Sequence, residues 1–500
     1  MTKETRVQIY FILIFLSLGL ILGRIFAVDT INKRELQNYR LKQIPKQLAE
    51  KTERLRQRGE KEADIEREIA KTEKNLRRDA LLCFPFFSAN DRSRWCTIRA
   101  LVEPEMRVEG APYAIDKVRM EKGWDTIDMV KHDDHYYSSK PPLLPTMIAG
   151  IYWLVYHFLG ISFASDVYLA VKIMLALVNL PMMFLFLFSV VQLAERLGRS
   201  DWTRIFIVAT ACFATFLSTF CVTLNNHLPG VMCVSVSLWL AVEMIFEERF
   251  HFMKVFLIGA FASFGVVNEL PALSYWGAIF VALAFFFPWR SATRDALALV
   301  GAFCLGTLCV AAPFFATNYV AHQSLRPPYM HRQPGDNWYE YTYIAQNGRE
   351  VESYWQNPQG IDKGEASRAK YAFHVLLGHH GVFSLTPVWI FSAIGIGLWL
   401  HDFDRKKRLF ALLILGLSVL ILGFYIARPL NDRNYGGIAC GFRWAFWLIP
   451  LWLCAMLPTI EWLEKRRWGR GLALVFLALS ALSVAYPIWN PWTHPWLFGE

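Results

Sequence analysis

Charged side chains are scarce in this sequence, and their scarcity excludes an ordinary water-soluble protein. Asp, Glu, Lys and Arg make up only 19% of the 500 residues, whereas 54% are hydrophobic and 15% are aromatic. A soluble domain usually carries about 25% charged residues. The apolar residues also form runs that can cross a hydrocarbon core of about 30 Å, which takes roughly 20 helical residues. The composition therefore predicts an integral membrane protein.

Three further patterns are missing from the sequence. The nine cysteines form no CxxC pair and no ligand spacing with histidine, which argues against a metal cluster. The apolar runs do not alternate with polar residues, as the strands of a membrane β-barrel would. No internal repeat marks the inverted halves found in many transporters. The remaining fold class is an all-α polytopic membrane protein. Cys83 and Cys96 share a loop, and they are either a disulfide or two free thiols.

About eleven apolar runs predict transmembrane helices. They lie near 9–26, 166–195, 203–222, 228–246, 252–267, 270–288, 295–318, 382–400, 409–426, 444–460 and 471–487. The first run follows Lys3 and Arg6, and it is read as an uncleaved anchor with its N-terminus inside. The net charge of +10 comes mostly from Lys and Arg in short links between the runs, which sets orientation and does not favour nucleic-acid binding.

The apolar run at 143–161 decides the topology. If it lies along the outer membrane surface, the basic clusters at 196–204, 405–408 and 465–470 all face the cytoplasm. If it crosses the membrane, those same clusters face outward, against the positive-inside rule. We therefore predict an interfacial helix at 143–161, inside a long first outer loop.

The sequence divides into six predicted regions. These are a cytoplasmic start and first anchor (1–28), a charged helical insertion (29–80), a catalytic first outer loop with interfacial helices (81–161), transmembrane helices 2–7 (162–318), an outer loop (319–381), and transmembrane helices 8–11 with an outer C-terminus (382–500). Dense alternating charge between 33 and 78 predicts a helix or a helical hairpin broken near Gly59, acting as a solvated spacer or a partner arm.

Polar motifs gather in the predicted outer loops. They are SANDRSRW (88–95), HDDHYYSSKPPLLP (132–145), LNNHLPG (224–230), NELP (268–271), GHHGVFSLTP (378–387) and NDRNYGGIACGFRW (431–444). Loops that a rigid scaffold positions are where binding and catalytic residues concentrate. The predicted inner loops carry nothing comparable, so the working surface is expected on the non-cytoplasmic face. The HDDH stretch is either a metal-binding cluster or a hydrated turn.

A reaction on that face has no nucleotide triphosphate available, so a sugar donor has to arrive through the lipid, most simply on a polyprenyl phosphate. The leaving phosphate needs no proton, so one carboxylate base and a few cations are sufficient. We predict Asp91 as the base, with Lys140 and Arg443 binding the donor phosphate. The alternatives are an N-terminal helix cap for Asp91, interfacial snorkelling for Lys140, and a membrane anchor for Arg443.

Several other residues of these loops are substrate-binding candidates. They are Arg94, Tyr137, Asn226, His227, Glu269, His379, His380 and Tyr435. His227 and Glu269 stand at the outer ends of neighbouring spans, where ionisable groups are functional candidates by default. They either bind a divalent metal or satisfy each other, because two ligands alone do not define a metal site.

The order DRSRW, RALVE and YYSSKPPLLP resembles the first outer loop of GT-C glycosyltransferases. The nearest relatives in pattern are the lipid A aminoarabinose transferases and the protein O-mannosyltransferases. The resemblance implies a catalytic carboxylate at Asp91, a donor-phosphate lysine at Lys140 and an active-site arginine in the GFRW motif at Arg443. It also implies a surface helix after the double proline. Ser139 stands where the aminoarabinose enzymes have glutamate, and the 33–78 insertion has no counterpart in the family.

The predicted function is an inverting transfer of a sugar from a polyprenyl-phosphate donor to a lipid, glycan or protein acceptor. The expected location is a bacterial cytoplasmic membrane, with the active site on its outer face. A transporter or lipid flippase is the first alternative, because ionisable residues inside spans often mark a transport path. A scaffold that recruits a partner through the 33–78 segment is the second.

Overall fold

The all-α polytopic fold predicted from the sequence is confirmed by a computed structural model, which describes residues 1–31, 33–80, 85–287 and 293–498. The helices are α1 (Lys3–Ile31), α2 (Lys33–Gln57), α3 (Glu62–Ala80), α4 (Ala89–Val102), α5 (Asp116–Met120), α6 (Leu143–Leu159), α7 (Val167–Leu197), α8 (Asp201–Phe213), α9 (Leu217–Phe220), α10 (His227–Glu247), α11 (Phe252–Asn268), α12 (Leu273–Phe286), α13 (Thr293–His322), α14 (Arg368–Leu376), α15 (Val382–Leu385), α16 (Trp389–Leu400), α17 (Arg405–Ala427), α18 (Ile449–Leu463) and α19 (Arg467–Ala485).

Short strands and 3-10 turns complete the described ranges. The strands pair as the antiparallel hairpins β1 (Met129–His132) with β2 (His135–Ser138), β3 (Arg332–Gln333) with β4 (Asp336–Asn337), and β5 (Thr342–Ile344) with β6 (Glu350–Glu352). The HDDH stretch forms the tip of the first hairpin, where Asp133 and Asp134 have φ of 48° and 62°. Positive φ at both central residues is what a two-residue hairpin turn requires, so this stretch is a turn.

Eight helices of the described residues are long and apolar enough to cross a membrane. Apart from one or two residues at the ends of four of the runs, they contain the runs predicted at 9–26, 166–195, 203–222, 228–246, 295–318, 409–426, 444–460 and 471–487. The other three predicted spans, together with the surface helix predicted at 143–161, are shorter apolar helices. The centre of the bundle is formed by α10 and by the span that ends in α18. The apolar stretches of these two spans are 89% and 83% buried inside the protein. The chain is therefore an integral membrane protein with its core around these two helices.

Ion pairs show which helix ends lie together. Arg6 in α1 binds Glu195 near the end of α7 at 2.6 Å and Asp201 at the start of α8. At the same end, Lys406 of α17 lies 2.6 Å from Glu248. The basic links between helices therefore gather at the end of the bundle that carries the N-terminus. The opposite end carries the starts of α10 and α18 and the end of α11.

Helix α6 returns the chain to the end from which it came. Its Tyr152 hydroxyl donates to Glu103 just beyond α4 at 2.6 Å, and the Phe163 backbone N–H donates to the same carboxylate at 3.1 Å. Phe163 also packs against Trp95 of α4 with ring centroids 5.5 Å apart. The helix thus lies alongside α4 and does not carry the chain across the bundle. This arrangement agrees with the charge argument for an interfacial α6.

The charged insertion forms a helical hairpin in the described residues. Gly59, with φ of 74°, makes the turn between α2 and α3, a conformation that glycine adopts without steric cost. Lys51 in α2 bonds Glu68 at 2.8 Å and Thr72 at 2.7 Å, both in α3. Cys83 lies outside the described residues, and Cys96 is buried as a free thiol.

Close approach of α11 and α13 depends on glycine. A Cβ added at Gly306 would lie 2.0 Å from the Phe256 carbonyl oxygen, whereas one added at Gly301 of the same helix would meet nothing within 4 Å. We expect Gly306→Ala to lower the free energy of unfolding by about 1–3 kcal/mol, because overpacking forces the two backbones apart. Gly301→Ala is the matched control, and it should leave the melting temperature unchanged or slightly raised. Equal melting temperatures for the two variants would contradict the packing.

Candidate active site

A cavity of about 600 Å³ opens at the end of the bundle opposite the N-terminus. Its wall combines cationic, acidic, amide and aromatic side chains from distant parts of the chain. The polar and aromatic lining residues are Ser88, Asn90, Arg94, Asp128, Lys140, Asn226, Asn268, Tyr329, Arg332, Trp355, Asp362, Asn431, Asp432, Asn434, Arg443, Trp444 and Trp492. This size suits a small ligand such as a sugar phosphate. Of the sequence-predicted candidates, Arg94, Lys140, Asn226 and Arg443 line it.

Lys140 is positioned by the hairpin that precedes it and by the prolines that follow. Its backbone N–H donates to the Ser138 hydroxyl at 3.2 Å, and Pro141 fixes the chain direction beyond it. The ammonium group lies 3.1 Å from the Asp128 carboxylate. Burial lowers the pKa of Lys140 to about 8, opposed by Asp128 and assisted by the nearby cation of Arg94. The ammonium is therefore charged at pH 7 but close to its titration point.

Arg94 lies on the first turns of α4 and points into the cavity. One terminal nitrogen donates to the Asn90 carbonyl and side chain at 2.8 and 2.6 Å, and the other donates to Asn226 Oδ1 at 2.7 Å. Asn226 in turn donates to Glu269 at 2.7 Å. Burial lowers the pKa of Arg94 to about 10, so the guanidinium remains charged at physiological pH.

Arg443 is held from both sides. Its Nε and Nη2 donate to the Gly436 carbonyl at 3.0 and 2.8 Å, while Nη1 lies 2.8 Å from His227 Nε2. Because arginine only donates, that His227 nitrogen accepts, and the proton of the neutral imidazole is on Nδ1. Nδ1 lies 2.5 Å from Glu269. Glu269 and His227 thus orient Arg443 in the cavity wall.

His227 and Glu269 are paired with each other, as one of the two alternatives left open by the sequence has it. Both imidazole nitrogens are engaged, one by a carboxylate and one by a guanidinium. In the described ranges, no group of three or more His, Cys, Asp or Glu side chains is arranged to hold a metal ion. A metal at this pair would have to displace Arg443 and recruit further ligands. In this arrangement the two residues bond each other and Arg443, and a divalent metal at His227 and Glu269 stays a prediction.

Asp91 is not brought to the cavity surface. Ser88 is the N-cap of α4, and Asp91 is its capping-box partner. The Asp91 carboxylate accepts from the Ser88 backbone N–H at 2.9 Å, the Ser88 hydroxyl at 3.1 Å and the Phe87 backbone N–H at 3.2 Å. The residue is 1% exposed, and burial raises its pKa. Asp91 is thus not the N-cap that the alternative predicted, because the helix begins earlier and Ser88 has that position, but its carboxylate does fix the helix start that carries Asn90 and Arg94.

The remaining sequence candidates lie elsewhere. Tyr137 stacks on His132 with centroids 4.3 Å apart, in a small separate core of the outer loops. His379 and Tyr435 line a second cavity, and His380 stacks on Tyr435 at 5.0 Å. None of these four candidates lines the cavity of Lys140.

Sequence reasoning named none of the three acidic residues that line the cavity, Asp128, Asp362 and Asp432. Asp128 lies just before β1 and pairs with Lys140, and Asp362 lies in the outer loop that was assigned no role. Asp362 accepts from the Tyr354 hydroxyl at 2.9 Å and from Asn434 Nδ2 at 3.1 Å, and burial raises its pKa. The short distance from Asp128 to the Lys140 motif was a usable signal. No sequence signal separates Asp362 from the other acidic residues of its loop.

Comparison with models of protein families finds no match, and comparison with curated proteins finds none. Two similar solved structures are the archaeal oligosaccharyltransferase AglB from Archaeoglobus fulgidus in complex with an inhibitory peptide and a dolichol-phosphate, and the Archaeoglobus fulgidus oligosaccharyltransferase in complex with Zn and sulfate. Both are 11% identical over 82% of this chain, with TM-scores of 0.38 and 0.37. They are covered over 52% and 53% of their own lengths, so the chain spans about half of each.

Proposed function

We propose that this chain is a membrane glycosyltransferase that moves a sugar from a polyprenyl-phosphate donor to an acceptor hydroxyl, with inversion at the anomeric carbon. The observation that carries the proposal is the meeting of Arg94, Lys140 and Arg443 in one cavity wall. These cations, with Arg332 as a fourth in the lining, suit a phosphate, because charge-assisted hydrogen bonds to it are short and strong. Trp444 and Trp492 beside Arg443 offer flat apolar faces against which a sugar ring can pack.

The donor side of the reaction belongs to the cations. Lys140 supplies a compact positive charge and Arg443 a planar fork of donors for the phosphate oxygens. As the anomeric C–O bond breaks, its electron pair leaves with the polyprenyl phosphate, and the fixed cations stabilise that charge without reorganising. His227 and Glu269 are positioning residues for Arg443, as their hydrogen bonds indicate.

The acceptor side needs a base away from the phosphate. Inverting displacement places the attacking hydroxyl opposite the leaving group, and the Asp128 carboxylate is already paired with the donor-side cation of Lys140 at 3.1 Å. We assign the base to Asp362, which faces the cavity with a raised pKa. It takes the hydroxyl proton as the new C–O bond forms. Asp91, the carboxylate that the family motif indicates, then acts by holding the start of α4.

The proposed membrane orientation places the cavity on the non-cytoplasmic face. The N-terminus and the basic links lie at the opposite end of the bundle, as the ion pairs of Arg6 and Lys406 show. Short basic loops favour the cytoplasmic side. A bacterial cytoplasmic membrane, with polyprenyl-phosphate sugars in its outer leaflet, fits this orientation.

The test of this function is consumption of a lipid-linked sugar by the purified protein in vesicles that hold no gradient. We expect release of polyprenyl phosphate together with a glycosylated acceptor when a membrane extract supplies that acceptor. Movement of the intact donor between leaflets without bond cleavage would instead support the flippase alternative.

The pH dependence of donor binding follows from Lys140. Its pKa of about 8 means that the ammonium is present at pH 7 and is lost as the pH rises through that value. Affinity for polyprenyl phosphate should therefore fall between about pH 7 and pH 9.5. Lys140→Arg keeps a charged group, because arginine does not titrate in that range, and should remove the decrease. A similar decrease in the Lys140→Arg variant would show that another group titrates.

A further inference from the structure

A second cavity, of about 870 Å³, lies against the first one and has a different chemical character. It is lined by Gly360, Ile361, Gly364, Glu365, Lys370, His374, Leu377, Gly378, His379, Tyr435, His494, Leu497 and Phe498. Aromatic rings stack in pairs along its wall. The ring centroids of His374 and His379 lie 3.9 Å apart, and those of His494 and Phe498 lie 4.1 Å apart. The proposed donor chemistry uses none of these side chains.

Two short segments separate the two cavities and contribute to both. Gly360, Ile361 and Gly364 face the second cavity, while Asp362 between them faces the first. In the same way, Tyr435 faces the second cavity, while its neighbours at 434, 436 and 437 face the first. A hydrogen bond of 3.1 Å from Asn434 to Asp362 joins the two segments. A ligand in the second cavity therefore lies against the same segment that carries the assigned base.

The wall of the second cavity is nearly neutral. Glu365 and Lys370 cancel each other in an ion pair of 3.2 Å. Burial lowers the pKa of His379 to about 4 and that of His380 behind it to about 3, so both imidazoles are uncharged at pH 7. Burial also lowers the pKa of His374 in the same wall. The polar imidazoles make the cavity unsuitable for a lipid chain. Such a chain would cover their nitrogens without offering hydrogen bonds, and burying polar groups without partners costs free energy.

The hydrogen-bond order fixes what the imidazoles offer a ligand. His380 Nε2 lies 3.1 Å from the Ala439 carbonyl oxygen and must donate to it. His380 Nδ1 then accepts from His379 Nδ1, 2.5 Å away, which leaves His379 Nε2 as an acceptor. His374 Nδ1 is buried without a hydrogen-bond partner. The cavity thus combines acceptors for hydroxyl protons with the flat faces of Tyr435 and Phe498.

We infer that the second cavity binds the acceptor of the reaction and that this acceptor is an uncharged, hydroxyl-rich carbohydrate. The uncharged imidazole nitrogens of the wall can accept hydrogen bonds from hydroxyl groups. The aromatic side chains can pack against the apolar faces of sugar rings. The volume is sufficient for more than one ring. This inference rests on the proposed transferase function and names the acceptor class for it.

The test is photo-crosslinking in the full-length protein in native membranes. Leu377, which is 58% exposed in the cavity wall, is replaced by p-benzoyl-phenylalanine, irradiated, and the adduct is analysed by mass spectrometry. We expect a ladder of sugar masses on the Leu377 variant and none on a control with the same group at Phe403, exposed at the opposite end of the bundle. A peptide or lipid adduct, or no adduct at full incorporation, would overturn the inference.

Two further variants separate this inference from the proposed function. Adding His379→Phe to the crosslinking protein keeps an aromatic ring at this position but removes the imidazole nitrogen that accepts a hydrogen bond. This change should lower the yield of sugar adduct at least about fivefold. Adding Lys140→Met should leave the adduct intact while abolishing transfer. If the crosslinking protein that keeps Lys140 forms the sugar adduct but never consumes the donor, the carbohydrate site is supported and the transferase function is contradicted. An unchanged yield of adduct in the His379→Phe protein would contradict the assignment of His379 as a hydrogen-bond acceptor for the bound sugar.

Discussion

Replacing Lys140 by methionine is expected to lower the rate of sugar transfer by about 10²–10³, the usual cost of removing one preorganised group that stabilises transition-state charge. The side chain lies in the wall of the first cavity, 3.1 Å from Asp128 and near Arg94. Methionine fills the same space without the charge, so the fold should survive. The rate is measured as transfer of radiolabel from a polyprenyl-phosphate sugar.

The matched control for this prediction is Lys363→Met. Lys363 is exposed and directly follows the cavity residue Asp362, so it tests whether any lost positive charge near the site has the same effect. We expect the control to retain nearly full activity. If Lys140→Met transferred sugar as fast as the control, a phosphate role for Lys140 would be excluded. Arg443→Met should resemble Lys140→Met, because both cations contact the same proposed phosphate.

Replacing Asp362 by asparagine is expected to lower kcat by about 10²–10⁴, the contribution of a general base. Asparagine keeps the hydrogen bond from the Tyr354 hydroxyl but cannot take up a proton. Affinity for polyprenyl phosphate should remain near that of the unmodified protein, because the cations on the donor side are unchanged. The two quantities are separated by measuring transfer at saturating donor and, independently, equilibrium binding of the lipid.

Asp91→Asn is the informative comparison for Asp362→Asn. Its carboxylate forms part of the capping box of α4, so the substitution should lower stability by about 0.5–2 kcal/mol, as cap losses do. The folded fraction should still transfer sugar faster than the Asp362→Asn protein. A variant with an unchanged melting temperature but no activity would instead restore Asp91 as the base, as the family motif implies.

Much of the fold could be predicted because hydrophobic length and basic links are local properties of the chain. A run of about 20 apolar residues can satisfy its backbone in lipid only as a helix, so the spans were predictable from composition alone. The basic clusters at 196–204 and 405–408 predicted that α6 lies along the membrane surface and does not cross the membrane. The contacts of Tyr152 and Phe163 with Glu103 agree with that prediction.

The candidate site was predictable only in part. Lys140 and Arg443 were found because each stands in a compact motif beside proline or glycine. Asp91 was predicted as a base from the same kind of motif, yet a carboxylate three residues beyond an N-cap serine has a competing use in the capping box. Asp362 was missed because its loop has no motif, and its place in the wall depends on contacts with residues about 70 positions later.

The sequence by itself determined that this chain lies in a membrane, which of its segments are helices, and which cations stand at their ends. Those features depend on residues close together along the chain. Only the tertiary structure decided which carboxylate reaches the cations, that His227 and Glu269 orient Arg443, and that the histidines line a second cavity. The physical reason is that the burial of a side chain and its hydrogen-bond partners depend on residues from remote segments of the chain. Local sequence patterns do not show which remote residues come into contact.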